Sequence, residues 1–165
     1  MKLNSFVWWI FVILWAGLIF FMSSMDTNES NCKSKTIIND VVEKSVETTN
    51  EFGITDKHPS KNKMNQVIEK LNYPLRKAAH ASEYFIFTIL ILIALKNSGV
   101  KGNKKFIIAL VICFIYACTD EYHQTFVNGR TGQFSDILID TFGGFISCLM
   151  YIFMMKINEI RKKHI

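Results

Sequence analysis

The stretch Ile137–Met155 reads ILIDTFGGFISCLMYIFMM, nineteen residues in which Asp140 carries the only charge. A helix of about 20 apolar residues spans the hydrocarbon core of a bilayer, so this stretch predicts a transmembrane helix. Three further apolar stretches occur, at Phe6–Met22, Tyr84–Leu95 and Phe106–Cys118. Half of the residues are hydrophobic, and they are grouped in long uncharged runs that a soluble domain of this size rarely contains. The fold class predicted is therefore all-α, a polytopic integral membrane protein with four transmembrane helices.

Two of the apolar stretches are too short to cross a membrane. Tyr84–Leu95 has twelve residues and Phe106–Cys118 has thirteen, whereas a transmembrane helix needs about 20. The second helix must therefore include Arg76–Glu83, and the third must continue through Thr119–Gln124. Those extensions contain most of the unusual polar side chains, which are thus predicted to lie inside the membrane. Ionisable residues at such depth are rare and commonly functional.

The first apolar stretch follows Lys2, as in a signal peptide, but it is long, contains three tryptophans and lacks an Ala-x-Ala cleavage site. We expect residues 1–24 to form a retained transmembrane helix, with a cleaved signal peptide as the alternative. Residues 76–155 should form a core of three helices, followed by a basic tail at 156–165.

Residues 25–75 form a polar loop between the first two spans. Its apolar residues recur at helical spacing, which predicts one or two amphipathic helices at the membrane surface. A flexible loop that is unstructured from Thr48 to Lys63 is the alternative. The residues that carry the periodicity are Ile37, Ile38, Val41, Val42, Val46, Val67, Ile68 and Leu71.

Basic residues flank the apolar stretches and predict the orientation. The connection Lys96–Lys105 carries four lysines and no acid, and the tail from Lys156 has four Lys or Arg against Glu159 alone. Because short cytoplasmic loops are enriched in Lys and Arg, we expect both segments and both termini in the cytoplasm of a cell membrane protein, with the inverted orientation as the alternative. The net charge of +5 is then explained by contacts with the lipid bilayer, and no nucleic-acid partner is expected.

The acidic residues of the three core helices fall at one depth. At a helical rise of about 1.5 Å per residue, three carboxylates lie about 20 to 24 Å above the lysines at the inner surface. They are Glu83, Asp120 and Asp140. In a hydrocarbon core about 30 Å thick this level belongs to the outer half, where isolated charges are costly. The three carboxylates are therefore predicted to face one another or a wet cavity.

Spacing places the polar residues of each helix on one face. Lys77, His80, Glu83 and Tyr84 recur at i, i+3, i+6 and i+7, and the same argument joins Asp120, His123 and Gln124 on the third helix and Asp136 and Asp140 on the fourth. The loop before the fourth helix contains Asn128-Gly129-Arg130, a turn signal that presents an arginine above these faces. An arginine there can pair with a carboxylate or capture an anionic ligand.

Structural roles are the alternatives for the same residues. Glu83, Asp120 and Asp140 can form a polar lock between helices that has no other activity. Asp136 precedes an apolar run, as helix N-caps do. The other structural interpretations are snorkelling for Arg76 and Lys77, an interfacial aromatic belt for Tyr84 and Tyr122, a hydrogen-bonded wall position for His123, and close helix packing for Gly143, Gly144 and Ser147.

Three ordered motifs resemble a known family. They are Lys77-x-x-His80-x-x-Glu83-Tyr84, then Asp120-Glu121-x-His123-Gln124-x-Phe126-x-x-Gly129-Arg130, and then Asp136-x-x-x-Asp140-x-x-Gly143. Together they resemble the VanZ-like family of bacterial membrane proteins, from Arg76 to about Tyr151. Phe21–Ser24 is a weaker shared feature, and Asn128 stands where the family commonly has proline. The resemblance implies a four-helix membrane protein whose named relatives are linked to resistance to teicoplanin and related lipoglycopeptides.

Three functions are compatible with these residues. The first is an envelope protein at the outer face of the membrane that binds an amphiphile, either a lipoglycopeptide or a lipid-linked cell-wall precursor, or that affects the envelope indirectly. Its candidate ligand-binding residues are Lys77, Tyr84, Glu121, Gln124, Arg130, Asp136 and Asp140. The second is an intramembrane enzyme acting on an envelope lipid, with Glu83 or Asp120 as general base, His80 as its partner and Arg130 holding an anionic group.

The third function is a metal site, since His80-x-x-Glu83 and Asp120-x-x-His123 echo the ligand spacing of di-metal helical bundles. Cys32, Cys113, Cys118 and Cys148 form no CxxC pair, so neither a disulfide framework nor a zinc site is indicated, and buried small hydrophobic positions fit them better. The sequence therefore assigns no metal ligand and no cofactor. The three motifs contain more acidic than basic side chains, so at least one acid is expected to be protonated or bound to a cation. The five acids are Glu83, Asp120, Glu121, Asp136 and Asp140.

The orientation leads to a testable prediction. A cysteine introduced in place of Lys101 should react only with a thiol reagent supplied from the cytoplasm, and one in place of Gln133 only with a reagent supplied from outside, because of the lysine asymmetry. Labelling of intact and permeabilised cells with a membrane-impermeant maleimide measures this. The opposite labelling pattern would reverse the face on which the polar residues lie.

Overall fold

In the computed structural model, residues 3–51 and 61–163 are described, and this part of the chain contains helices and connecting turns but no strand. Four of its helices are long and apolar enough to cross a membrane. This confirms the predicted all-α architecture with four membrane-spanning helices. The helices are α1 (Leu3–Ser23), α2 (Thr27–Glu51), α3 (Lys61–Asn97), α4 (Lys104–Gln124) and α5 (Phe134–Lys163).

The two short apolar stretches extend in the predicted directions. α3 continues without interruption through Arg76–Glu83, and α4 continues to Gln124. The polar residues of both extensions therefore lie on regular transmembrane helices, which hold their side chains at set angles. Residues 75 and 76, predicted as the boundary between the polar loop and the core, lie inside α3.

α3 is the centre of the bundle and packs against α1, α2, α4 and α5. Its buried face is apolar at Phe87, Ile91 and Leu92, and it meets small residues of the neighbouring helices such as Ala109 and Cys113. Cys148 is buried in the same core, so two cysteines occupy the small hydrophobic positions expected of them. The outer surface carries many exposed large apolar residues, for example on α1 and α5. Such a surface suits lipid contact and would be unusual in a soluble monomer.

α1 is joined to the bundle by hydrogen bonds along its length. Trp15 Nε1 donates to the backbone oxygen of Glu83 at 3.0 Å, and the Tyr116 hydroxyl donates to the backbone oxygen of Ala16 at 2.6 Å. Near the other end, the hydroxyls of Ser5 and Ser98 lie 2.8 Å apart. The contacts of Trp15 and Ala16 hold the second half of α1 against α3 and α4.

The polar loop predicted between the first two spans is helical in most of its described part, from Thr27 to Glu51 and again from Lys61. α2 runs antiparallel to the first turns of α3, with Ile38 and Ile68 buried between them and a Lys35–Glu69 ion pair at 2.6 Å. This confirms the predicted amphipathic helix. The alternative of an unstructured segment is wrong for residues 48–51 and 61–63, which are helical. Residues 52–60 of that segment, like Lys2, lie outside the described residues.

α3 and α5 approach closely at Gly143. A Cβ atom at this position would lie 2.2 Å from the backbone oxygen of Ala81, and one at Gly144 would lie 2.7 Å from the side chains of Cys113 and Thr88. The small-residue face of α5 therefore serves close helix packing, as predicted. It brings the backbone of α5 against α3 at the level of the polar residues, only three residues from Asp140.

We predict that Gly143→Ala destabilises the bundle, because the methyl group would meet rigid backbone and force the helices apart. The expected loss is about 1–3 kcal/mol, as for overpacked cores. Thermal unfolding of the purified protein in detergent measures it. The matched control is Gly17→Ala on α1, where a Cβ atom meets nothing within 4 Å. Equal melting temperatures for both variants would contradict the close contact.

Candidate functional site

The polar faces of the three core helices converge near one end of the bundle. The Lys77 ammonium donates to the Asp136 carboxylate and joins α3 to the first turn of α5. On α4, Gln124 Nε2 lies 3.2 Å from a carboxylate oxygen of Asp120 and 3.2 Å from one of Glu121. Asp136 lies inside α5, which begins at Phe134, and pairs with a residue of α3. Its interpretation as the N-cap of α5 is therefore wrong.

The loop between α4 and α5 turns at the predicted position. Gly129 has φ 74°, a left-handed conformation that favours glycine, and Arg130 N donates to Val127 O at 3.1 Å. The loop then returns to α4, where Gln133 N donates to a carboxylate oxygen of Glu121 at 2.8 Å. Arg130 is thus presented from a turn that is anchored at both ends.

Arg130 has no carboxylate partner among the described residues. Its Nε and Nη1 atoms are buried and form no hydrogen bond to the described protein. Burial, and then the positive charge of Arg76, lower the pKa of Arg130 from its ordinary value, although an arginine remains protonated at neutral pH. Of the two roles predicted for Arg130, the carboxylate pair is absent from this part of the chain, and capture of an anionic ligand remains.

Two neighbouring cavities meet at Arg130. The polar cavity, about 160 Å³, lies between α3, α5 and the turn, and the apolar cavity, about 230 Å³, lies between α1, α2 and α3. They share three side chains, Arg76, His80 and Arg130. The polar cavity is further lined by Tyr73, Lys77, Gln124, Gly129, Thr131, Gln133 and Asp136, and the apolar cavity by Met22, Met25, Lys33, Ser34, Ile37, Leu75, Ala79 and Glu83.

His80 and Glu83 form a pair at the apolar cavity. His80 Nδ1 lies 3.7 Å from Glu83 Oε2, which is longer than a hydrogen bond. Neither atom has another partner in the described part of the protein. Both side chains are about one fifth exposed, at 21% and 23%, so they are accessible to a ligand in the cavity.

Asp120, Glu121 and Asp140 form an acid cluster that lies outside the lining of both cavities. One carboxylate oxygen from each residue lies within 4.8 Å of the other two, and all three residues are buried. Tyr84 is fully buried and stands beside Asp120. Tyr84 therefore belongs to the interior of the bundle, and its interpretation as part of an interfacial aromatic belt is wrong.

The sequence-predicted residues thus divide between three places. Lys77, Gln124, Arg130 and Asp136 line the polar cavity, His80 lines both cavities, and Glu83 lines the apolar one. Tyr84, Asp120, Glu121 and Asp140 lie together in the interior. The metal site considered from the sequence required four ligands to come together, namely His80, Glu83, Asp120 and His123. The described residues do not form that group. The ring of His123 packs instead against Phe20 on α1, with 4.1 Å between the ring centroids.

Three residues near the site were missed by reasoning from the sequence. Ser23, at the end of α1, is buried beside Asp120, and Asn31 on α2 accepts a hydrogen bond from Arg76 Nη1 at 2.8 Å. Asn72 donates to the same Asn31 oxygen at 3.2 Å. The Phe21–Ser24 stretch already pointed to Ser23, but nothing in the polar loop distinguishes Asn31 from its neighbours.

Comparison with known proteins gives one finding. A family model described as VanZ/LLP1 matches residues 8–155, a range that includes most of α1 and all the residues that line the two cavities or form the acid cluster. Neither the curated proteins nor the solved structures contain a match to this chain.

Proposed function

The chain belongs to the VanZ/LLP1 family, and from that premise we propose that it binds an anionic amphiphile at the outer face of the cytoplasmic membrane. The candidate ligands are a lipoglycopeptide of the teicoplanin type and a lipid-linked cell-wall precursor. Binding either of them would reduce the action of glycopeptide antibiotics or alter the cell envelope.

The observation that carries this proposal is the guanidinium of Arg130. Two of its nitrogen atoms are buried and have no partner in the described protein, while Arg76 contributes a second positive charge to the same cavities. Arginine matches the planar geometry of carboxylate and phosphate groups and binds them through two parallel hydrogen bonds. The junction of the two cavities is therefore suited to an anionic head group.

The apolar cavity supports the proposal by offering a place for the rest of an amphiphile. Met22, Ile37 and Leu75 line it and are partly exposed on the outside of the bundle. A hydrocarbon tail entering between α1 and α2 would bury apolar surface there, which is favourable. Its head group would then reach Arg130 at the far end of the cavity.

The depth of the site favours an approach from the outer leaflet. In the orientation expected from the lysine distribution, Glu83 lies about 20 Å from the cytoplasmic surface. A cytoplasmic metabolite would have to cross that length of apolar bundle, whereas an amphiphile can enter sideways while its tail stays in lipid. Lipid-tailed glycopeptides and lipid-linked precursors both fit this route.

We predict that expression in a susceptible Gram-positive host raises tolerance to teicoplanin more than to vancomycin, because only teicoplanin carries a lipid tail that concentrates it at the membrane. Arg130→Ala should abolish the difference, since the head group would lose its main charged partner. Minimum inhibitory concentrations at matched protein levels measure the effect.

The matched control for that experiment is Arg161→Ala, which removes an exposed arginine from the opposite end of α5 and should leave tolerance unchanged. Equal protection against both drugs, or full protection in Arg130→Ala, would argue against capture of an amphiphile at this site and for an indirect effect on the cell wall.

An intramembrane enzyme is the second candidate function, and the His80–Glu83 pair favours it. His80 Nδ1 and Glu83 Oε2 face each other without another partner in the described protein, and both residues line a cavity. A carboxylate beside an imidazole is an arrangement used for proton transfer. Glu83 would act as general base with His80 as its partner, while Arg130 would hold the anionic group of an envelope lipid. Asp120, the other base expected from the sequence, lies outside the lining of both cavities and suits this role less well.

Glu83→Gln separates the two candidates. We predict that Glu83→Gln and Asp120→Asn each abolish tolerance at normal expression, whereas Glu47→Gln, an exposed change on α2, does not. Retention of fluorescent teicoplanin by membranes gives the second readout. A binding role requires retention to fall together with tolerance, and a catalytic role for Glu83 requires retention to stay while tolerance is lost. If both site variants give normal tolerance, the remaining interpretation is that Glu83 and Asp120 form a structural polar lock between helices.

A further inference from the structure

The acid cluster of Asp120, Glu121 and Asp140 is not explained by the binding of an amphiphile. Asp140 is 1% exposed and Asp120 2% exposed, and the cluster lies outside the lining of both cavities. Head groups held at Arg130 therefore do not contact Asp140 in this arrangement. Three carboxylates packed together at membrane depth are nevertheless costly and need a compensating partner.

The protein supplies only part of that compensation. Glu121 accepts hydrogen bonds from Gln124 and from Gln133 N, and one oxygen of Asp120 accepts from Gln124. The other oxygen of Asp120 has only the hydroxyls of Ser23 and Tyr84 beside it, without a hydrogen bond of good geometry. Both oxygens of Asp140 have no hydrogen-bond partner in the described protein. Lys77 on α3 is engaged by Asp136. The charge of Arg130 acts on Asp120 and Glu121, but its Nε and Nη1 atoms form no hydrogen bond to them.

Two hydroxyl groups outside the cluster point to the same place. The side chains of Tyr84 and Ser23 are 0% and 1% exposed, both stand beside Asp120, and their oxygens lack a hydrogen-bond partner of good geometry among the described residues. A buried hydroxyl without a partner is unfavourable. A positively charged ion among these residues would accept lone pairs from the carboxylate oxygens and from the two hydroxyl oxygens.

We propose that Asp120, Glu121 and Asp140 bind one hard divalent cation of the class of Mg²⁺, Mn²⁺ or Ca²⁺, with the Tyr84 hydroxyl as a neutral neighbour. Two oxygens on opposite sides of such an ion, each at about 2.0 to 2.6 Å, lie about 4 to 5 Å apart. One carboxylate oxygen from each of the three residues lies within 4.8 Å of the other two, which meets that spacing. The cluster offers oxygen ligands and no thiolate or imidazole, a set that favours hard cations over zinc.

The proposed cation would join two core helices. Asp120 and Glu121 lie on α4 and Asp140 on α5, so the ion would hold these helices together behind the polar cavity, while Glu121 also anchors the loop that carries Arg130. The proposal does not depend on amphiphile binding, because the cluster and its unpartnered oxygens are present whether or not Arg130 holds a ligand.

Binding of Mn²⁺ to the full-length protein tests this inference. The protein is placed in phosphatidylcholine nanodiscs, treated with chelator, and titrated with MnCl₂ while the electron paramagnetic resonance signal of free Mn²⁺ is followed. We expect about one ion bound per chain, displaced by Mg²⁺ or Ca²⁺, and a melting temperature that rises with Mn²⁺. Asp140→Asn and Glu121→Gln should each weaken binding roughly tenfold or more, since a ligand is lost.

The matched control is Asp40→Asn, a change of the same chemistry at an exposed position of α2, which should bind as the wild type does. If the wild-type protein binds no more Mn²⁺ than Asp140→Asn, or if both cluster variants bind as tightly as wild type, the inference is wrong and the carboxyls are neutralised by protons. The wild-type titration decides the question even if a variant fails to fold. No amphiphile is added, so this result is separate from the tolerance measured with Arg130→Ala.

Discussion

The exclusion of water from the hydrocarbon core is the constraint on which the structure depends. A charged group facing lipid at this depth has no solvent and no partner, so the ionisable side chains that lie at membrane depth on α3, α4 and α5 have to face the inside of the bundle or a cavity. The same constraint leaves the outside of the helices mostly apolar. It also explains why the polar residues are gathered near one end of the bundle, where α1, α2 and the loop before α5 enclose them.

Close packing of α5 against α3 and α4 brings the polar side chains of these helices together. Gly143 and Gly144 let the backbone of α5 approach α3 and α4 to distances that no side chain would permit, and Asp140, one turn earlier, is carried inward with it. The buried acid cluster is therefore a consequence of small residues on one face of α5. A bundle separated by larger side chains would leave Asp140 apart from Asp120 and Glu121.

The polar residues serve two different environments. Arg130, Arg76 and His80 stand where an apolar and a polar cavity meet, which suits recognition of a molecule with a tail and a charged head. The acid cluster lies in the interior and is linked to Arg130 through the loop that Glu121 anchors. A cation there would stabilise the wall of the cavity and would not compete for the head group.

The sequence by itself determined the four spans, the extension of α3 and α4 into polar sequence, and the common depth of Glu83, Asp120 and Asp140. These follow from local properties, namely the length needed to cross a bilayer and the rise of a helix. Only the tertiary structure decided that Arg130 lacks a carboxylate partner among the described residues, that Tyr84 is buried, and that Asn31 reaches Arg76. Such contacts join residues far apart in the chain and depend on the rotation and spacing of packed helices, which periodicity along a single helix does not specify.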